Sequence, residues 1–153
     1  MSSACPISNE TVDERAARLC ALFALVPLGL SLCFTSPWPV SFLAMDFGLR
    51  GFGVRWLSPL ALLSRWLVER FGLSPRRVNG GPKAFAAKLG FAFSLAVASA
   101  NFSGNHAIAV LVGAPFAFCA MLEGVFGFCV GCGIYQVWQR LNSRTELARV
   151  RWR

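Results

Sequence analysis

Residues 19–50 read LCALFALVPLGLSLCFTSPWPVSFLAMDFGLR, and between Arg18 and Arg50 the one charged side chain is Asp46. An α-helix needs about 20 apolar residues to cross a hydrocarbon layer of about 30 Å. The block is too long for one crossing. It also carries a break at its centre, Thr35-Ser36-Pro37-Trp38-Pro39, because two prolines cannot continue a helix. The reading is a helical hairpin. A second block, Leu89 to Gln139, repeats the pattern with Glu123 as its one charge. Its middle holds the turn formers Asn101-Phe102-Ser103-Gly104-Asn105-His106. Two hairpins predict four spans, over 17–35, 38–54, 84–102 and 106–131. Pro27 should kink the first, and the second carries both Asp46 and Arg50.

Composition agrees with this reading. Of 153 residues, 56% are hydrophobic and only 14% charged, against about 25% charged in an ordinary soluble domain. Mean hydropathy is +0.55. Such a chain is too apolar to be disordered. Its 15 Lys and Arg against 7 Asp and Glu give a formal +8, yet a nucleic-acid module would carry that charge on a chain of ordinary polarity. The expected class is all-α, a polytopic membrane bundle of about four transmembrane helices with one interfacial helix. A cleaved signal peptide competes for the first span. It fits poorly, since Glu10, Asp13 and Glu14 precede Arg15 and Arg18, and TSPWP is a poor cleavage site.

Basic residues set the orientation. The short loops near 36–38 and 101–106 hold no Lys or Arg. The segment between the hairpins holds Arg55, Arg65, Arg70, Arg76, Arg77 and Lys83, and the tail holds Arg140, Arg144, Arg149, Arg151 and Arg153. Two spans separate these regions, so both fall on one side. The expectation is a multi-pass protein of the cell membrane with both termini in the cytoplasm. Its parts are an N-terminal segment 1–16, a membrane domain 17–138 and a basic tail 139–153.

Within the central segment, Ser58-Pro59 is an N-cap followed by a first-turn proline. Leu60, Leu63, Leu67 and Phe71 then form one apolar stripe, extended backwards by Trp56. Arg65 and Glu69 lie four apart on the opposite face, and Gly72 stops the helix. An amphipathic helix over about 59–71, lying in the membrane interface, is expected.

Six cysteines do not form a disulfide framework here. Cys20, Cys33 and Cys119 lie in apolar runs, where a thiol packs as a small hydrophobe. Cys129 and Cys132 form a C-x-x-C pair at helical i, i+3 spacing among glycines 124, 127, 131 and 133. On a continuous last span from Ala107, Cys129 falls about 33 Å along the axis, at the cytoplasmic edge. The pair is the candidate redox or sulfur-handling site, against the alternatives of plain packing and a soft-metal site. The metal reading lacks ligands: His106 belongs to the opposite face, and nothing in the spacing requires Cys5. No cofactor is indicated.

Charges inside spans are costly and are usually paired or functional. Asp46 and Arg50 lie four apart on one helix. Glu123 falls about 24 Å along the last span, at a depth similar to that of Lys88 near the start of the third. Asp46, Arg50, Lys88 and Glu123 are therefore expected to form a polar cluster near the thiols.

The segments LAMDFGLRGFG, LSPLALL, GPKAFAAKLG and LEGVFGFCVGCGIY resemble, in that order, the domain of unknown function 4395 family of small bacterial integral membrane proteins. The resemblance covers about 10–138. CPIS followed by Val12-Asp13-Glu14 is similar to the family's opening. The positions carried over are Asp46, Arg50, Pro59, Pro82, Lys83, Glu123, Cys129 and Cys132. Gly133 departs from the bulkier residues common in relatives. The resemblance implies a multi-span membrane protein and no particular activity.

Three functions fit these residues. The first is a membrane thiol protein that exchanges electrons or sulfur with a cytoplasmic thiol or sulfur-carrier protein. The second is a component that transports a small anion or sulfur species. The third is a structural subunit with packed cysteines. The bilayer is the common partner, a homo-oligomer is compatible with each, and no nucleic acid is implied. GFGVRW lacks the strand context of a nucleotide-binding loop.

Overall fold

The structure is a computed structural model that describes residues 11–72 and 76–150. Cys5, Arg151 and Arg153 lie outside the described residues. The described chain forms six α-helices and one two-stranded ribbon. The helices are α1 (Glu14–Cys33), α2 (Pro37–Gly51), α3 (Pro59–Arg70), α4 (Gly80–Phe102), α5 (His106–Met121) and α6 (Val130–Val150).

Three helices are long and apolar enough to cross a membrane: α1, α4, and α5 extended by a π-turn at Leu122–Phe126. This is the make-up of a multi-pass membrane protein. The expected second span is shorter than the sequence suggests. With 15 residues, α2 is about 22 Å long at 1.5 Å per residue, short of a bilayer core of about 30 Å. Ser36 and Pro37 start it, and the chain leaves it at Phe52. The two prolines that break the hairpin thus lie in the first turn of α2, where a missing N–H costs nothing.

The bundle has two distinct ends. At one, Asn101 Nδ2 donates to Ser31 Oγ at 2.9 Å, and Ser31 Oγ donates to the Ser36 carbonyl at 2.6 Å. Trp38 and Phe102 meet edge to face at the same end. At the other end, β1 (Thr11–Asp13) pairs antiparallel with β2 (Arg77–Asn79), Val12 opposite Val78. Asp13 caps α1 by accepting from the Arg15 amide at 3.0 Å. Glu14 pairs with Arg18 at 2.6 Å and with Arg76 at 3.3 Å. The ribbon precedes both α1 and α4, so the two helices start together. The all-α expectation did not include this ribbon.

Small residues let the helices approach. Phe47 of α2 lies directly over Gly90 of α4, where a Cβ would come within 2.8 Å of the ring. The core is Ala24, Leu28, Val40, Leu43, Val97, Ala109 and their neighbours. Around it, large side chains such as Val26, Phe34, Leu111 and Phe118 face outward. In water that arrangement would be unfavourable, but against lipid it has no such cost.

The expected helix after Ser58 is present as α3, capped as predicted by Ser58 Oγ accepting from the Ala61 amide at 3.3 Å. Ser64 and Val68 are its buried residues and α1 is its neighbour, whereas Leu62, Leu63, Trp66 and Phe71 are exposed. In a bundle set in lipid the small residues go inward and the large apolar ones outward.

Candidate functional site

The charged end of the bundle encloses a cavity of about 740 Å³, walled by residues of all six helices. That volume lies in the range of small-molecule sites, about 300–1,000 Å³. Arg50, Lys83, Glu123 and Cys129 line it, together with Phe47, Phe93 and Phe116.

Asp46 and Arg50 meet as the sequence spacing suggested. Arg50 Nη2 lies 2.6 Å from Asp46 Oδ2, with the carboxylate fully buried. The other carboxylate oxygen accepts from Ser58 Oγ at 2.6 Å and from the Leu60 amide at 3.1 Å. The same guanidinium donates to Cys20 Sγ at 2.9 Å and stacks 4.2 Å from the centroid of Phe47. Asp46 therefore ties α2 to the start of α3, and Arg50 ties it to α1. Reading the sequence found the i, i+4 pair but not its link to Ser58, although the N-cap signal of Ser58-Pro59 lay in view.

Lys88 lies apart from this group. It is exposed, packs over Gly51 and holds its ammonium 5.9 Å from the Phe52 ring centroid. The cation near Glu123 is Lys83, in the first turn of α4. The sequence estimate set the start of the helix at residue 84, four residues past Gly80, where α4 begins. That displaces every depth on α4 by about one turn, and with it the choice of lysine.

The last span ends before the thiols. The π-turn closes at Gly127, whose φ of +70° is a left-handed helix stop. The Gly127 amide donates to the Glu123 carbonyl at 3.0 Å, and the Phe128 amide to the Leu122 carbonyl at 3.3 Å. A new helix, α6, then begins at Val130. The Cys129 carbonyl accepts the first helical bond, from the Gly133 amide at 3.1 Å. Cys129 thus sits just ahead of α6 and Cys132 in its first turn. The expected continuous span over 106–131 is replaced by two helices and a break at Gly127. The glycine cluster carried the signal for it.

At a helix start, orphan N–H groups point toward the thiols and favour negative charge there. The Cys129 thiol donates to Cys132, which holds Cys132 below the ordinary thiol value. The same hydrogen bond, with burial and the nearby Glu123 carboxyl, raises Cys129 well above it. Lys83 adds a weaker effect in favour of the Cys132 thiolate. Glu123 lies close enough to Cys129 for its charge to act on the thiol. Glu123, Cys129 and Cys132 therefore form one group. Cys20, Cys33 and Cys119 are also free thiols and take no part in it. Among the described residues, no three His, Cys, Asp or Glu side chains converge as a metal-ligand set.

The profile of a family described as a domain of unknown function, DUF4395, matches residues 12–140. The chain belongs to this family. The match spans the ribbon, the six helices as far as the first half of α6, and every site residue named above. No match is found among curated proteins, and none among solved structures. Family membership assigns no activity, and the chemistry rests on the residues themselves.

Proposed function

We propose that this DUF4395 protein is a membrane dithiol carrier in which Cys129 and Cys132 cycle between dithiol and disulfide. The observation that supports it is the placement of both thiols at the start of α6, Cys129 just ahead of the helix and Cys132 in its first turn, with Cys129 and Glu123 lining one cavity. A cysteine in the first turn of a helix, beside a second thiol and a lysine, is placed to react as the thiolate.

In the exchange, a thiolate of a partner's dithiol attacks Cys132 in the Cys129–Cys132 disulfide. Cys129 leaves and takes a proton from Glu123. The partner's second thiolate then attacks the mixed disulfide, Cys132 leaves as the thiolate, and the partner departs as a disulfide. One S–S bond breaks here and one forms in the partner, with two electrons transferred to the pair. The basic residues of 55–83 and the tail support placing this end in the cytoplasm. There the partner is a thiol protein with an acidic docking face.

The test is a redox gel shift on the full chain in inside-out vesicles. Cys129→Ser and Cys132→Ser should each abolish the shift. Cys20→Ser, Cys33→Ser and Cys119→Ser should leave it intact. Equal alkylation of Cys129 and Cys132 before and after mild oxidation would refute the reading.

A further inference from the structure

The cavity beside the thiol pair has a lining of particular chemistry. Its aromatic wall is continuous. Phe93 and Phe116 stack with centroids 5.8 Å apart and planes 12° from parallel, and Phe47 meets Phe116 at 5.6 Å. The rest of the wall is small and apolar: Ala17, Ala61, Ala87 and their neighbours. A flat ring is the shape that such a wall accommodates.

The polar groups narrow the choice further. Arg50 lines the cavity, but Asp46 neutralises it at 2.6 Å. It offers hydrogen-bond donors with little net charge. Lys83 shares the lining with the Glu123 carboxyl. A free anion gains little at cations that already have a carboxylate nearby, whereas a carbonyl oxygen needs only a donor. Cys129 and Glu123 are on the same wall, a thiol and a carboxyl.

From this lining we infer that the cavity is the binding site of a lipid-soluble quinone, the oxidant of the Cys129–Cys132 pair. The inference rests on the dithiol reading above and names its electron acceptor. The balance closes. Two thiols form one S–S bond and release two electrons and two protons. The quinone takes both to become a hydroquinone. Cys129 delivers its proton through Glu123, and the quinone oxygens accept from Arg50 and the carboxyl. The ring lies against Phe93 and Phe116, and its apolar tail leaves between the helices toward lipid.

The experiment uses the full chain in lipid nanodiscs and a fully substituted benzoquinone with a decyl tail, which cannot add to thiols. Empty nanodiscs are the blank. The parent with its Cys129–Cys132 disulfide already formed should bind the quinone saturably, because it has no electrons to give. Ala17→Phe and Ala61→Phe fill the cavity from α1 and α3. Each should weaken binding by at least ~10-fold while the protein keeps its folded melting behaviour. The reduced parent should convert quinone to hydroquinone and form one disulfide per quinone consumed. Absence of saturable binding overturns the cavity assignment, as does unchanged binding in both folded filling variants. Binding that the filling variants abolish, without disulfide formation in the parent, keeps the cavity assignment and refutes the dithiol reading.

Discussion

Ser58 donates its hydroxyl to Asp46 at 2.6 Å, so a carboxylate on α2 fixes the cap of α3. Both side chains are fully buried, and the same carboxylate balances Arg50. Replacing Asp46 with Asn leaves a guanidinium within the bundle without its counter-charge. Breaking a buried pair in this way costs about 3–5 kcal/mol in soluble proteins, and snorkelling of the arginine can lower that. Asp46→Asn should therefore melt well below the parent in detergent. An unchanged melting temperature would mean that the pair is solvated.

Ser58→Ala probes the other half of the same link. A lost N-cap costs about 1 kcal/mol. Here the Asp46 oxygen also loses a donor, so the penalty should exceed that of an exposed cap. Proteolysis and hydrogen exchange should show α3 opening first, with α1 and α4 still protected. Uniform loss of protection across all helices would count against a local cap.

The sequence made the long helices legible and left their details obscure, for physical reasons. Uncharged runs longer than 18 residues have few alternatives to a span, so α1, α4 and α5 were readable. The short α2 was not, because its apolar run continues past Gly51 into a turn. The buried face of α3 is small, Ser64 and Val68, and so left no stripe to read. The helix break at Gly127 lay among four glycines of equal standing. Asp46 with Arg50 and Cys129 with Cys132 are local pairs, and local spacing shows in a sequence. Lys83 with Glu123 depends on where two helices begin, which it does not.

Asn101 belongs to α4 and not to the turn that its residue type suggests. Its amide holds Ser31 of α1 at 2.9 Å. Interhelical hydrogen bonds of this kind contribute about 0.6–2 kcal/mol in a membrane. Asn101→Leu should lower thermal stability by that order and leave thiol reactivity at the opposite end unchanged. A simultaneous change in alkylation of Cys129 would show that the two ends are coupled.

The thiols should differ in reactivity. Cys132 lies below the ordinary thiol value, so a larger fraction is thiolate at neutral pH; Cys129 lies above it and stays protonated. Alkylation at about pH 7 should reach Cys132 first, and the rate at Cys129 should rise only in alkaline solution. Cys129→Ala removes the donor and should shift the Cys132 reactivity profile to higher pH. Equal rates at both positions across the range would contradict the hydrogen-bonded order.

Topology gives the last prediction. The ribbon precedes both α1 and α4, and the Arg18 side chain crowds Gly127 at the far end of α5. The starts of α1 and α4 and the end of α5 therefore share one end of the bundle. The chain must return between α1 and α4, even though α2 is only about 22 Å long. The basic residues gather at this shared end, and the loops at 34–36 and 103–105 carry none, so the shared end should be cytoplasmic. In a cysteine-free background, a cysteine placed at Asn105 should react with an impermeant maleimide from outside intact cells. One placed at Arg77 should react only after permeabilisation. Reaction of both from the same side would break the scheme, because the path from β2 through α4 to Asn105 contains one helix and one crossing.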